Sequence, residues 1–208
     1  MTKDQVYIDF DGTLIDMRNR YFSVLNNYLK LKNMAPIDKM SFLKGKLAGH
    51  REHEIVLSLT NQVMDVDDYV SYKRKNLEST SMLSLDKLIE GTIESLEDLR
   101  SNGKKLFLLT IRRDKQNLLT QLRKLSIFSL FDDIIIAEPN SIVNSKVKVL
   151  EGKALAGCSL FGDSMIDYVC AKHYSMDFFH VGTGFERIEN EHTYADFSEA
   201  VHCYLKGE

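Results

Sequence analysis

The 208-residue sequence contains no tryptophan. It also contains few of the residues that stiffen or cross-link a chain, with two prolines and three cysteines. No glycine- or serine-rich linker accompanies Pro36 and Pro139, so we expect any second domain to be an insert in one compact unit. Cys158, Cys170 and Cys203 show neither metal-ligand spacing nor close pairing. An odd set of this kind indicates a reduced, cytoplasmic protein.

The sequence also has no large excess of charge of either sign and no long apolar run. The 27 Lys and Arg residues oppose 30 Asp and Glu residues, and this formal net charge of −3 predicts no broad nucleic-acid-binding surface. No run reaches the roughly 18 apolar residues of a membrane span, and the N-terminus lacks a signal-peptide pattern. The remaining composition, 44% hydrophobic and 27% charged, is typical of a globular domain with room for a smaller insert.

From residue 88 onward, short apolar runs alternate with segments of helical periodicity. After the first strand, Val6–Ile8, strands are predicted at Leu106–Thr110, Ile134–Ile136, Ser159–Gly162 and Phe178–Val181. Helices are predicted at Thr92–Arg100, Gln116–Leu125, Lys146–Leu155, Ile166–His173 and Ser198–Leu205. Strands separated by helices predict an α/β fold, with a parallel sheet and right-handed crossovers.

The segment from Asp16 to about Leu85 is predicted to be helical throughout. Its apolar and aromatic residues recur at helical spacing, as at Tyr21, Leu25 and Tyr28. We interpret them as core packing. Asp38 is a candidate N-cap of a helix in this segment.

Two carboxylates follow the first strand in Asp9-Phe10-Asp11-Gly12-Thr13-Leu14. Residues i and i+2 of a strand point the same way, so Asp9 and Asp11 are aimed at one place beyond the strand's carboxyl end. Open α/β sheets bind their ligands there. Because two like charges repel unless a cation holds them, and oxygen-only ligands suit Mg²⁺, the pair indicates a magnesium site.

Further polar residues follow in order along the chain. Thr110 ends a second apolar run, Lys146 lies in a polar stretch, and Asp163 and Asp167 follow a third run. This succession of Asp, Thr, Lys and an Asp pair resembles the haloacid dehalogenase superfamily of phosphotransfer enzymes over nearly the whole chain. Asp163 could instead serve only as a helix N-cap.

The resemblance implies a Rossmann-like parallel core, residues 1–15 and 86–208, with an inserted α-helical cap, residues 16–85. It also implies that Asp9 is the nucleophile and Asp11 the general acid and base. Thr110 and Lys146 would complete the catalytic set, and Asp9, Asp11 and Asp163 would hold Mg²⁺, with Asp11 contributing its backbone carbonyl. Asp167 would support the metal or Lys146. The substrate-binding residues it implies are Gly12, Thr110, Ile111, Arg112, His50 and Arg51.

Three positions depart from the family pattern or allow two interpretations. Val147 stands where many capped phosphatases have Pro after the lysine, so Lys148 is an alternative to Lys146. Arg112 and its neighbour Arg113 stand where relatives often carry Asn. A guanidinium fork there suits phosphate or carboxylate, and a solvated helix start explains it equally well.

The remaining position is the stretch Gly49-His50-Arg51-Glu52, which resembles the cap loop by which family members choose substrates. It also fits a polar turn between helices.

The leading hypothesis is a Mg²⁺-dependent phosphatase of the phosphoglycolate-phosphatase-like kind, acting on a small phosphorylated metabolite as a monomer or homodimer. A hexose-phosphate mutase is the alternative suggested by the cap loop. It is disfavoured because Tyr21 stands where mutases carry His and Thr13 stands where they often carry Val. Dehalogenase activity is disfavoured by the presence of Asp11. A non-catalytic phospho-ligand-binding protein is the contrasting class.

Overall fold

The computed structural model describes residues 4–140, 142–189 and 192–207. Six parallel strands form the main sheet, in the order β5-β4-β1-β6-β7-β8. Their bounds are β1 Gln5–Ile8, β4 Lys105–Ile111, β5 Asp133–Ala137, β6 Ser159–Gly162, β7 Asp177–Val181 and β8 Thr193–Tyr194. The predicted α/β class with a parallel sheet is confirmed.

The helices that accompany this sheet bury one cluster of apolar side chains on each of its faces. They are α6 Thr92–Ser101, α7 Lys115–Lys124, α8 Ser145–Val149, α9 Met165–His173 and α10 Phe197–Lys206. Val6 and Ile8 of β1 belong to one cluster, and Tyr7, between them, belongs to the other. Alternation of this kind places successive residues of a strand on opposite faces, so β1 is covered on both sides.

The chain divides into two compact units. One contains the residues up to Asp16 and those from Leu88 onward, and the other contains Met17–Lys87. The second unit is built of α1 Arg18–Leu31, α2 Lys39–Leu47, α3 Glu52–Thr60, α4 Val66–Asn76 and α5 Thr80–Leu83. Its core contains aromatic side chains such as Tyr28 and Tyr69, which pack edge to face with ring centroids 5.1 Å apart. Asp38 caps α2 as predicted, because its carboxylate accepts from Ser41 N at 2.9 Å.

Two sequence predictions about element bounds were wrong. Asp16 belongs to a two-residue strand, β2 Ile15–Asp16, which pairs with β3 Lys87–Leu88, so the segment is not helical throughout. Helix α8 ends at Val149 and not at Leu155. Gly152, with φ of +80°, lies in the turn that follows.

None of the helices within the described residues is long and apolar enough to cross a membrane. Cys158 and Cys170 carry buried, reduced thiols and pack as small side chains of the core.

Candidate active site

The turn after β1 places Asp9 at the carboxyl edge of the sheet, between β4 and β6. Asp9 N donates to Phe161 O of β6 at 2.9 Å, and Gly12 N closes the turn on Ile15 O at 3.0 Å. Gly12 has φ of +86°, and a Cβ at this position would overlap the Asp163 carboxylate. Glycine is therefore required here both by the backbone conformation and by the closeness of a carboxylate.

Lys146 is the lysine that the structure brings to Asp9. Its side chain is buried, and Nζ donates to Asp9 Oδ1 and to Asp167 Oδ1, at 2.5 Å in each case. Burial alone would lower the pKa of Lys146, but the charges of Asp167 and Asp9 raise it on balance. Asn144 caps the helix start by accepting from Lys146 N at 2.9 Å. Lys148 is exposed.

Asp167 is fully buried, and its carboxylate is hydrogen-bonded to the N-cap residue of its own helix. Ser164, the N-cap of α9, donates to Asp167 Oδ2 from its backbone N at 3.2 Å and from its Oγ at 2.5 Å. Since Oδ1 bonds Lys146 and Oδ2 bonds Ser164, Asp167 fixes the position of the lysine ammonium. The N-cap interpretation of Asp163 is wrong, because Ser164 occupies that position.

Asp163 follows β6 and joins the same buried group. Thr13 Oγ1 donates to Asp163 Oδ1 at 3.4 Å. Asp9, Asp163 and Asp167 each offer one carboxylate oxygen within 4.8 Å of the others. Burial raises the pKa of Asp9 to about 7, with Lys146 opposing and Asp167 reinforcing the shift. Burial, then the charges of Asp9 and Asp167, also raise the pKa of Asp163 well above its usual value.

This donor set fits a hard divalent cation. Three carboxylates lie together, and Lys146 bonds two of them. Burial first, and the neighbouring carboxylates second, raise the pKa values of Asp9 and Asp163, so a bound cation would stabilise their ionised forms. Carboxylate oxygens are the ligands that Mg²⁺ prefers. Because both oxygens of Asp167 are already hydrogen-bonded, Asp9 and Asp163 are the better candidates for direct ligands.

Asp11 lies outside that carboxylate group and pairs with Arg112. Arg112 Nη2 donates to Asp11 Oδ1 at 2.6 Å, and the arginine side chain is only 3% exposed. The solvated-helix-start interpretation of Arg112 is therefore wrong. Thr110 is buried near the end of β4, and Ile111 is the last residue of that strand. The structure thus brings Asp9, Lys146, Asp163 and Asp167 together, and places Thr110 and Ile111 at the end of the neighbouring strand.

His50 and Arg51 belong to the helical unit, where both are exposed. Arg51 is the N-cap of α3, and its backbone N donates to Glu54 Oε2 at 2.7 Å. The structure therefore places them at a polar helix start, and their role in substrate selection stays a prediction.

Thr183 and Gly184 belong to the site but were missed in the sequence. Thr183 Oγ1 donates to Gly12 O at 2.5 Å, and a Cβ on Gly184 would overlap the Asp163 carboxylate. The available signal was their position in Gly182-Thr183-Gly184, directly after β7, where a ligand edge is expected.

Known proteins show the same architecture. A hydrolase of the haloacid dehalogenase-like family from Streptococcus pneumoniae superposes with a TM-score of 0.73 at 16% identity, covering 100% of both chains. A predicted phosphoglycolate phosphatase from Haemophilus somnus superposes with a TM-score of 0.72 at 17% identity, covering 99% of this chain and 98% of that one. A search of curated protein sequences found no significant match.

The sequence pattern of one family spans most of the chain. The family described as haloacid dehalogenase-like hydrolases matches residues 6–181, a range that includes Asp9, Thr110, Lys146 and Asp163. The chain therefore belongs to the haloacid dehalogenase-like hydrolase family.

Proposed function

We propose that this hydrolase is a Mg²⁺-dependent phosphatase that cleaves a small phosphomonoester through an aspartyl-phosphate on Asp9. The observation that carries the proposal is the buried Asp9 carboxylate at the end of β1, with Lys146 Nζ 2.5 Å from its Oδ1 and the carboxylates of Asp163 and Asp167 beside it. A carboxylate is a nucleophile once ionised, and it can approach an anionic phosphoryl group only where positive charge offsets the repulsion.

The reaction has two steps. In the first, an Asp9 oxygen attacks phosphorus, the ester P–O bond breaks, and Asp11 gives a proton to the departing alcohol oxygen. In the second, water attacks the phosphorus of the aspartyl-phosphate while Asp11 takes a proton from that water. Inorganic phosphate leaves and the Asp9 carboxylate is restored.

The remaining residues of the α/β unit hold the phosphoryl group and the nucleophile. Lys146 bonds Asp9 and, through its charge, also attracts phosphoryl oxygens. Gly12, Thr110 and Ile111 are assigned to phosphate binding, since they lie at the carboxyl ends of β1 and β4, whereas Arg112 contacts Asp11.

Asp9, Asp163 and the backbone carbonyl of Asp11 would hold Mg²⁺. The bound cation supplies positive charge that offsets the negative charge of the phosphoryl oxygens.

We further propose that residues 16–85 form a cap domain that selects the substrate through His50 and Arg51, and that residues 1–15 and 86–208 form the catalytic core. The exposure of both side chains at the start of α3 leaves them available for a ligand. Arg51 would recognise an anionic or hydroxylated leaving group through its several donors.

The test is phosphate release from p-nitrophenyl phosphate and a panel of sugar phosphates, phosphoglycolate and nucleotides. Wild-type turnover should require Mg²⁺ and cease in EDTA. Asp9→Asn should lower kcat by about 10⁴-fold or more, as removal of a nucleophile does. Asp98→Asn, the same substitution at an exposed position of α6, is the matched control and should leave kcat unchanged.

Two outcomes would favour the other hypotheses. Binding of inorganic phosphate without any turnover on the panel would favour a non-catalytic phospho-ligand-binding protein. Isomerisation of a hexose phosphate with little net phosphate release would favour a mutase.

A further inference from the structure

Arg112 forms a buried ion pair with Asp11. The guanidinium is 3% exposed, and its Nη2 lies 2.6 Å from Asp11 Oδ1. Its carbon Cζ lies 5.7 Å from the centre of the Phe10 ring, and its backbone N donates to Ala137 O at 3.1 Å. Both the main chain and the side chain of Arg112 are therefore fixed beside the turn that carries Asp11.

The side chain of Arg112 does not use all of its donors. Within the part of the chain that the structure describes, the buried Nε of Arg112 has no hydrogen-bond partner. Burying a cation with an unused donor is unfavourable for folding. The buried guanidinium thus leaves Nε unused while its Nη2 holds the Asp11 carboxylate.

We propose that Arg112 is a positioning residue that orients the Asp11 carboxyl group for proton transfer to the leaving group. The inference rests on the proposed phosphatase function, because Asp11 has a proton-transfer role only in that reaction. When Asp11 has given its proton to the ester oxygen, the carboxylate that remains is the species to which the guanidinium donates. A rotating carboxyl group would lose the geometry on which proton transfer depends.

If Arg112 acts through Asp11, the loss of activity on its removal should depend on the leaving group of the substrate. An alkoxide leaves poorly without a proton, whereas p-nitrophenolate leaves readily without one. The ratio kcat/KM reports the steps up to the departure of the first product, so it isolates the step in which Asp11 acts as an acid.

The experiment compares kcat/KM for glycerol 2-phosphate and p-nitrophenyl phosphate. Arg112→Ala should lower the value for glycerol 2-phosphate by about 10²-fold, and that for p-nitrophenyl phosphate by less than about threefold. Arg112→Lys keeps the charge and most of the buried stem, and should show the same selectivity with a smaller loss. Thermal melting of each variant identifies any that does not fold. The exposed neighbour Arg113→Ala is the matched control and should change neither value.

A double-mutant cycle separates action through Asp11 from direct phosphate binding. In an Asp11→Asn background, Arg112→Ala should cost less than about a further threefold on glycerol 2-phosphate. Equal losses on both substrates, or a full additional loss in the Asp11→Asn background, would overturn the positioning role while leaving the phosphatase function intact. A wild-type protein that hydrolyses neither these two substrates nor any other phosphomonoester of the panel would overturn both.

Discussion

Each of the two compact units buries ionised side chains, and the two groups are built differently. In the helical unit, Arg20 Nε lies 3.1 Å from Asp86 Oδ1, and both side chains are fully buried. In the α/β unit, the carboxylates of Asp9, Asp163 and Asp167 lie together, and Lys146 bonds those of Asp9 and Asp167. The first group joins one positive and one negative side chain, whereas the second places three carboxylates together with one ammonium group.

The difference separates a structural ion pair from a site built for a ligand. Removing one partner of a buried pair leaves the other charge without compensation, so both partners are needed for stability. Where carboxylates are crowded, each one raises the pKa of its neighbours. Their mutual repulsion opposes folding unless a cation is bound. Substitution of an aspartate by asparagine should therefore have opposite effects on stability in the two groups.

The largest effect is expected at the structural pair. Asp86→Asn removes a buried negative charge 3.1 Å from the Arg20 guanidinium and should lower the free energy of unfolding by about 3–5 kcal/mol. Urea unfolding of the full chain measures it. Asp98→Asn, at an exposed position, should stay within about 0.5 kcal/mol of wild type. An Asp86→Asn variant as stable as wild type would mean that the pair contributes no stability.

The next effect concerns the cation at the crowded carboxylates. Mg²⁺ at about 100 times its dissociation constant should raise the free energy of unfolding of the wild type by about 2.7 kcal/mol, because it binds only the folded site. Titration of Mg²⁺ during thermal unfolding measures the effect, and Asp163→Asn should reduce it strongly. A shift of equal size in both proteins would place the cation elsewhere.

A smaller effect, of opposite sign to that at Asp86, is expected for Asp163→Asn in EDTA. Removing one crowded charge should raise the free energy of unfolding by about 1 kcal/mol, while activity falls about 10²-fold or more. Destabilisation of this variant in EDTA would contradict the view that the carboxylates repel.

Burial of these carboxylates, reinforced by their closeness to one another, predicts a pH dependence in EDTA. Asp9 has a folded-state pKa of about 7 against an ordinary value of 3.8, so its stabilising contribution is complete below 3.8 and is lost as the pH rises through about 7. Asp163, whose pKa is also raised, acts in the same direction. The stability advantage of Asp163→Asn should therefore widen over this range, which unfolding at a series of pH values measures.

Much of the α/β unit was predictable because its signals are local. Apolar runs marked β1, β4 and β6, and the polar residues at their ends met because the carboxyl ends of parallel strands share one edge. The strands β2 and β3 have two residues each, too few to show a periodicity.

The contacts of Arg20 with Asp86, and of Thr183 with Gly12, join residues far apart in the chain. Nothing in the local pattern indicates them, because such contacts depend on how the chain folds back on itself. For the same reason the sequence could not choose between Lys146 and Lys148, which both lie in one short polar stretch.

The smallest effect of a substitution is expected at Lys148, and its measurement tests the choice between Lys146 and Lys148. The first helical turn of α8 directs Lys146 to Asp9, whereas Lys148, two residues on, is exposed. Lys148→Ala should change kcat/KM by less than about threefold and stability by less than about 0.5 kcal/mol, as is usual for surface substitutions. Lys146→Ala, in contrast, removes the ammonium group that bonds Asp9 and Asp167 and should both destabilise the protein and abolish phosphate release. Phosphate-release kinetics and urea unfolding of the two variants measure these effects. Comparable losses in activity for both lysines would mean that Lys148 also acts on the phosphoryl group.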